Sequence, residues 1–492
     1  MAKTSNYVAF DLGASGGRTM VGRFDGEKVT LAEMNRFVNG PSQVLDTLYW
    51  DVLSLFGHMK AGLGQYSKTF GDDPAGIACD TWGVDFGLID RNGKLLGNPV
   101  HYRDARTDGM VEAAFEIVPR AEIFEQTGIQ FMQLNTLFQM LAMVKAKDPK
   151  LDAAERMLMM PELFNYWFTG IQANEFSEAT TSQMFNPRTG DWAYPMLERM
   201  NIPTSILGEI VAPGTVLGPL EGNVAQEVGL GDVPVVAIAG HDTGSAVVAV
   251  PAEIPNYAYI SSGTWSLIGI ESPEPIINAE SLEYNFTNEG GVFETIRFLK
   301  NIMGMWILQE CRRIWAMESP ELSWDEITAM GAEGPAFGSL IDPDAHDFLM
   351  PGDMPSRIQA YCARTAQTVP CTKPEIIRTV LDSLALKYRW ALEKLEILLG
   401  QRLDAIHIVG GGSRNKLLNQ LTADACQRTV IAGPVEATAL GNVLMQAIAL
   451  GQIGSLAEAR QVVRQSFDVT TFEPGAGDGW DAAYETFVGL MA

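Results

Sequence analysis

A chain of 492 residues is too long for one ordinary hydrophobic core, so two domains or more are expected. Its composition, 47% apolar by the AVILMFWYC count and 19% charged, is globular and excludes an intrinsically disordered chain. Thirty-five basic against 60 acidic residues leave a net charge of −25, which argues against nucleic-acid or anionic-membrane partners, since both demand clustered Lys and Arg.

Any anionic ligand must then be held largely by backbone amides, helix N-termini and a metal ion. The five cysteines, Cys79, Cys311, Cys362, Cys371 and Cys426, show no C-x-x-C spacing, and the five His residues are equally dispersed. No zinc site is readable, no cysteine pairing is assigned, and buried thiols in a reducing compartment are expected. The opening MAKTSNYVAF has no signal-peptide core, and no apolar run reaches eighteen residues. A cytoplasmic protein is expected.

In chain order, residues 7–12 (YVAFDL) read as a strand, GASGG as a link, and residues 18–23 (RTMVGR) as a returning strand. Glycines let backbone N–H groups approach phosphate oxygens, and Ser15 adds a hydroxyl. Asp11, near the strand end, is placed to hold Mg²⁺ through its waters. The stretch lacks the G-K-[ST] of a P-loop and the G-x-G-x-x-G spacing, and an ordinary hairpin turn is the competing reading. Asp51 is an N-cap candidate. Residues 77–81 (IACDT) and 84–89 read as strands around Trp82-Gly83, with Asp80 and Asp85 as turn caps. Arg103 and Arg106 read as surface partners of Asp104 and Asp108. Residues 135–147 have helical spacing, capped by Asn135 or Thr136. Residues 174–195, rich in Asn, Thr and Ser, read as irregular.

Residues 235–239 (VVAIA) form a buried-looking strand that Gly240 ends, and His241-Asp242 follow at once. A carboxylate there stands where α/β proteins place chemistry, at the carboxyl end of the sheet. The alternative is that Asp242 or Thr243 only caps the next helix. Residues 257–261 (YAYIS), a Ser-Gly turn and residues 264–270 then repeat the first hairpin, about half the chain later. Ser261, Ser262, Gly263 and Thr264 offer a second phosphate turn. A helix is expected over 374–399, with Pro374 near its start and Gly400 past its end. A strand at 406–409 leads to Gly410-Gly411-Gly412, room for a flat ligand such as adenine and ribose, with Asn415 in reach. Ser413 is expected to cap a helix to Cys426, and Pro434 to open another through Leu450. One Asp at a strand end, two phosphate turns and a nucleotide turn make a phosphoryl-transfer constellation, with Asp242 the proton acceptor.

The stretches DLGASGGR (11–18), DTWGVDF (80–86), YRDART (102–107), TGIQF (127–131), GHDTGSA (240–246), SSGTWSL (261–267), TNEGG (287–291), LKNIMG (299–304), HIVGGG (407–412) and AGPVEATALGN (432–442) together resemble the FGGY family of sugar kinases. That resemblance spans nearly the whole chain. It implies an actin-like, hexokinase-like ATPase fold, with two α/β domains of duplicated ribonuclease H-like type and a cleft between them. The expected domains are 1–245, for sugar and the first phosphate turn, and 246–492, for nucleotide. Ala14, Ser15, Gly16, Gly17 and Arg18 are implied to meet the ATP phosphates, and Thr264, Gln309 and Gly411 to meet nucleotide, alongside Gly410 and Asn415. Gly83, His241, Asp242, Thr243 and Asn301 are implied to line the sugar.

The activity implied is ATP- and Mg²⁺-dependent phosphorylation of L-rhamnulose at its C1 hydroxyl. Kinases for L-fuculose or L-xylulose are the alternatives, and a sugar sensor or nucleotide switch the rival class. Trp82, Phe131 and Met132 are wall candidates for the sugar methyl. Expected partners are sugar and ATP alone, in a monomer or small homo-oligomer.

Overall fold

A computed structural model describes residues 4–317, 320–475 and 479–491. The chain forms two units, each assembled from separated segments. Unit 1 comprises Met1–Ala249, Glu271–Leu299 and Ala437–Ser466. Unit 2 comprises Val250–Ile270, Lys300–Glu436 and Phe467–Ala492. The first crossing, after Ala249, lies four residues beyond the expected division at 245/246. The second half of the chain is not one body, because 271–299 and 437–466 pack with the first half.

Unit 1 is built on a six-stranded mixed sheet, in the order Thr215–Pro219, Pro234–Ala237, Gly76–Thr81, Ser5–Gly13, Gly16–Phe24 and Val29–Val38. Ser5–Gly13 and Gly76–Thr81 run parallel, with Tyr7 opposite Gly76 and Asp11 opposite Asp80. Their continuous apolar stretches are buried on both faces, as a central parallel pair requires. Helix Ala437–Ala449 covers one face through small residues. A Cβ on Gly22 would fall 2.4 Å from Val443, and one on Gly441 would fall 1.8 Å from the Ser245 carbonyl. Glycine at both positions is what lets the helix approach the sheet and the helix Asp242–Val248. A second core, centred on Phe138, Leu141, Met157, Met159, Phe185 and Trp192, fills the region between residues 86 and 207.

Unit 2 repeats the motif. Tyr257–Ser262 pairs antiparallel with Trp265–Ser272 and parallel with Ala405–Val409, Tyr257 facing Ala405 and Ser261 facing Val409. Thr429–Ala432 and Thr470–Phe472 extend the sheet beyond Ala405–Val409. The long helix Lys373–Leu399 starts on a capping box between Thr372 and Glu375 and ends on Gly400 at φ +65°.

Several local expectations change. Asp51 caps Val52–Phe70 as read, accepting from the Ser54 amide. Asn135 is the N-cap of Thr136–Ala146 as read, but its side chain makes no capping bond; its Nδ2 donates to the Gln130 carbonyl and Gln183 Oε1. Ser413 lies in a 3₁₀ turn, and Asn415 caps the helix Lys416–Cys426. The last apolar helix begins at Ala437, after a cis Gly433-Pro434 bond. Residues 174–195 are not irregular: they hold the helix Phe176–Thr181, short strand pairs and the helix that starts at Tyr194. All five cysteines are free, Cys371 alone being exposed.

Candidate active site

In the first hairpin Gly13 pairs with Gly16, so the strands absorb the glycines and the turn is Ala14-Ser15 alone. Asn39 braces it, its side chain donating to the Gly13 carbonyl at 2.8 Å. Gly17 serves packing: a Cβ there would fall 2.2 Å from the Phe37 ring. Arg18 folds back on the sheet and donates to Asp11 Oδ2 at 2.5 Å.

Asp80 was expected to cap a turn. It is instead fully buried at the strand end, beside Asp11 across the parallel pair. Asn442 donates to its Oδ2 at 2.7 Å, while Oδ1 is buried without a hydrogen-bond partner. Burial first, and then the charges of Asp11 and Asp242, hold the Asp80 carboxyl well above the usual range. An orphaned oxygen next to the Asp11 carboxylate is a donor set of the hard, oxygen-only kind that suits Mg²⁺ completed by waters. Among the described residues no cluster of three or more His, Cys, Asp or Glu forms a closed metal site, and an ion that keeps its waters needs none.

Asp85 is also buried, accepting from Trp50 Nε1 at 2.5 Å, Trp82 Nε1 at 3.0 Å and Gln139 Nε2 at 3.0 Å. Burial outweighs those donors and raises its carboxyl to about 6. Arg103 and Arg106 are not surface partners of Asp104 and Asp108. Arg103 is buried, and Arg106 donates to Gln139 at 2.6 Å.

The second acidic locus follows the strand Pro234–Ala237. The Thr81 amide donates to the Gly240 carbonyl at 2.8 Å, which ties this turn to the strand that carries Asp80. Asp242 opens the helix Asp242–Val248. Its side chain is 33% exposed, and its Oδ1 accepts from the Thr243 hydroxyl at 3.1 Å. It stands beside the helix N-terminal amides, where the dipole favours a carboxylate. His241 Nε2 lies 3.5 Å from Asp242 Oδ1. On its other side His241 Nδ1 is 3.1 Å from the buried Arg297 guanidinium and 3.2 Å from Glu289. The sequence offered Glu289 only as part of TNEGG, without a role, and Arg297 not at all, since an acid and a base eight residues apart resemble any surface pair.

Gly83 lies against Thr181, and the next residue, Val84, has φ +68°. A β-branched residue in that region is strained. Both its backbone groups are held: its amide donates to Thr181 Oγ1 at 3.1 Å, and its carbonyl accepts from Thr136 Oγ1 at 2.6 Å.

The remaining predicted residues belong to unit 2. The Met305 and Trp306 amides donate to the Gly263 and Thr264 carbonyls, at 3.2 and 3.0 Å, which fastens the second hairpin turn to the helix Trp306–Trp315 that carries Gln309. The triple glycine packs on the same hairpin: a Cβ on Gly412 would fall 2.0 Å from Ser262 Oγ, and Gly410 has φ +85°. Asn415 stands beside it, buried, its Oδ1 used as the cap and its Nδ2 without a hydrogen-bond partner. Asn301 is on the strand Ile296–Met303. The structure thus brings Asp11, Arg18, Gly83 and residues 241–243 into unit 1, and Thr264, Asn301, Gln309, Gly410, Gly411 and Asn415 into unit 2.

Comparison with known proteins matches both halves of the chain to one family. Residues 6–249 match the N-terminal domain of the FGGY family of carbohydrate kinases, and residues 258–450 its C-terminal domain. A protein of Bacteroides thetaiotaomicron named rhamnulokinase is 44% identical over 482 residues, 98% of each chain. Proteins of the same name from Enterococcus faecalis and Bacillus subtilis are 42% and 39% identical, covering 95% of this chain and 94% and 95% of theirs. Among solved structures, gluconate kinase from Lactobacillus acidophilus aligns with TM-score 0.81 at 15% identity over 99% of this chain and 98% of its own. Glycerol kinase from Plasmodium falciparum with ADP aligns with TM-score 0.76 at 16% identity over 100% and 97%. At those identities the structures speak for the fold alone. With both family domains matched in order over nearly the full length, the chain belongs to the FGGY family of carbohydrate kinases and is an ATP-dependent sugar kinase.

Proposed function

We propose that this kinase transfers the terminal phosphoryl group of ATP to the C1 hydroxyl of L-rhamnulose, with Asp242 as the base. The observation that carries the sugar assignment is the 44% identity over 482 residues to a protein named rhamnulokinase. Support for Asp242 is its half-exposed carboxylate at a helix start, after a buried strand. Its Oδ1 is steadied by Thr243, which leaves Oδ2 to take the hydroxyl proton as the oxygen–phosphorus bond forms. His241, Thr243, Gly83 and Asn301 contact the sugar. Backbone amides of Ala14–Gly17 and the Arg18 guanidinium meet the phosphates, while Thr264, Gln309, Gly410, Gly411 and Asn415 serve the nucleotide. Asp11, with Asp80 beside it, would hold Mg²⁺. The ion supplies charge neutralisation on the phosphates when bound.

An ADP-coupled panel of L-rhamnulose, L-fuculose, L-xylulose and glycerol tests the substrate. The highest kcat/KM is expected for L-rhamnulose. L-fuculose differs from it at C4, and a mismatched hydroxyl leaves buried polar groups unpaired. A first rank for another sugar removes the assignment within the family. Asp242→Asn keeps the shape and removes the base, so kcat should fall by on the order of 10²–10⁴ with sugar binding retained.

A further inference from the structure

Two segments that line the sugar in this reading are 83–84 and 240–242, and a third, 289–291, lies against them through Glu289, 3.2 Å from His241 Nδ1. Each is held by the same six-residue helix, Phe176–Thr181, together with Glu175, which precedes it. All are in unit 1.

The hydroxyls of this helix share one pattern. Ser177 donates to Glu175 Oε2 at 2.5 Å and accepts from the His241 amide at 3.2 Å. Thr180 donates to the Ser177 carbonyl at 3.0 Å and accepts from the Gly290 amide at 2.7 Å. Thr181 donates to the Glu178 carbonyl at 2.8 Å and accepts from the Val84 amide at 3.1 Å. In each case the proton points into the helix or its cap, and a lone pair takes a backbone N–H from a distant segment. Glu175 adds a direct bond, its Oε2 accepting from the Gly240 amide at 2.9 Å. All four side chains are at least 95% buried, so water competes for none of these bonds.

The fit leaves little slack. A Cβ on Gly240 would fall 3.3 Å from both Glu162 and Glu175, and one on Gly290 would fall 2.7 Å from the Phe176 ring. Helix capping accounts for Glu175 accepting from Ser177 and Glu178. It does not account for bonds to residues 64 to 110 positions away in sequence.

We infer that Glu175, Ser177, Thr180 and Thr181 are positioning residues for the sugar site, and that they divide the work. Glu175 and Ser177 fix the amides of Gly240 and His241, the two residues before Asp242, and so set the direction of its carboxylate. Thr180 and Thr181 fix Gly290 and the strained Val84, and so set the walls that receive the sugar. Losing the first pair moves a proton acceptor and should lower turnover. Losing the second loosens a binding surface and should weaken sugar affinity.

This inference rests on the sugar-kinase site proposed above. The test compares Ser177→Ala and Glu175→Gln with Thr180→Val and Thr181→Val in the full chain. It reads kcat, sugar KM, sugar affinity by calorimetry, and Tm. Ser177→Ala should lower kcat about tenfold with sugar affinity within about twofold, since small misplacements of reacting groups are costly. Thr181→Val should weaken sugar affinity about tenfold with kcat within about twofold. Should Glu175→Gln fail to fold, Ser177→Ala carries the first arm, because it deletes one hydroxyl. Equal losses of kcat and affinity in both arms, or a lower Tm with unchanged kinetics, overturn the division. Asp242→Asn separates the two readings. If it keeps near-normal turnover, the base assignment fails. If it is inactive while the helix variants lose kcat and affinity in parallel, the positioning role alone fails.

Discussion

The two hairpins are the same object built twice with different chemistry. In both, an antiparallel pair turns at a glycine-bearing link, and its first strand runs parallel to a strand from later in the unit. Counting from Tyr7 and Tyr257, Asp11 corresponds to Ser261, and its parallel neighbour Asp80 corresponds to Val409. One copy therefore ends in two carboxyl groups and an arginine, the other in a hydroxyl and an apolar side chain. Backbone pairing and buried apolar runs are satisfied equally in both, so the fold does not require the acids. What the first copy spends in burying Asp80 is not returned as packing, which is why the acidic end reads as chemistry rather than architecture.

Converting one copy toward the other tests this contrast. The largest effect is expected from Asp11→Ser, which gives the first hairpin the residue of the second. The rate at fixed Mg²⁺ should fall by on the order of 10², and the Mg²⁺ needed for half-maximal rate should rise. Differential scanning should find Tm nearly unchanged. A collapsed Tm with unaltered metal dependence would make Asp11 architectural, like its counterpart.

A second, smaller effect concerns glycine. Gly17 and Gly412 each admit a neighbouring side chain, the Phe37 ring in one copy and Ser262 Oγ in the other. Alanine at either position must push that neighbour, at about 1–3 kcal/mol each by urea titration. Comparable costs would mark both glycines as packing devices.

The smallest effect is a contrast in pH response between the units. In unit 1, burial and neighbouring acids hold Glu162 and Glu178 well above the usual glutamate range. The folded chain keeps protons there that the unfolded chain releases, so stability falls as pH rises from the ordinary glutamate range. In unit 2, burial lowers Lys300 from 10.5 to about 8. The folded chain binds that proton less readily than the unfolded one, so stability rises between about pH 8 and about pH 10.5. Glu162→Gln should flatten the first slope and Lys300→Met the second, each by on the order of 1 kcal/mol in pH-resolved melts.

Much of this was readable in the residues. Alternating strand and glycine signals marked both hairpins, and an apolar run ending in His-Asp marked the helix start at Asp242. The segment 174–195 was misread for a physical reason. Buried hydroxyls, amides and carboxyls look like a loop by composition, since polarity normally signals solvent. Here Ser177, Thr180 and Thr181 are polar because they must hold backbone amides where water cannot. Asp80 was misjudged in the same way: a lone acid in IACDT reads as a cap until its parallel neighbour is known. The return of 437–466 to unit 1 was unreadable for another reason. Helix Ala437–Ala449 is apolar nearly all round, which shows that it is buried but not against which sheet.

That helix and the next, Leu456–Ser466, have a consequence for how the molecule is made. Gln446 donates to the Val8 carbonyl at 3.1 Å, Asn442 holds Asp80, and Ser466 accepts from the Val29 amide at 2.9 Å. The strand Ser5–Gly13 thus waits for a helix that begins only at Ala437 before its face is closed. Until then Gly22 and the polar edge of Asp80 stay uncovered, and a fragment ending near residue 249 lacks the surface that completes its sheet. Synthesis of the two units is interleaved, not sequential, so unit 1 finishes folding only after most of unit 2 has been translated.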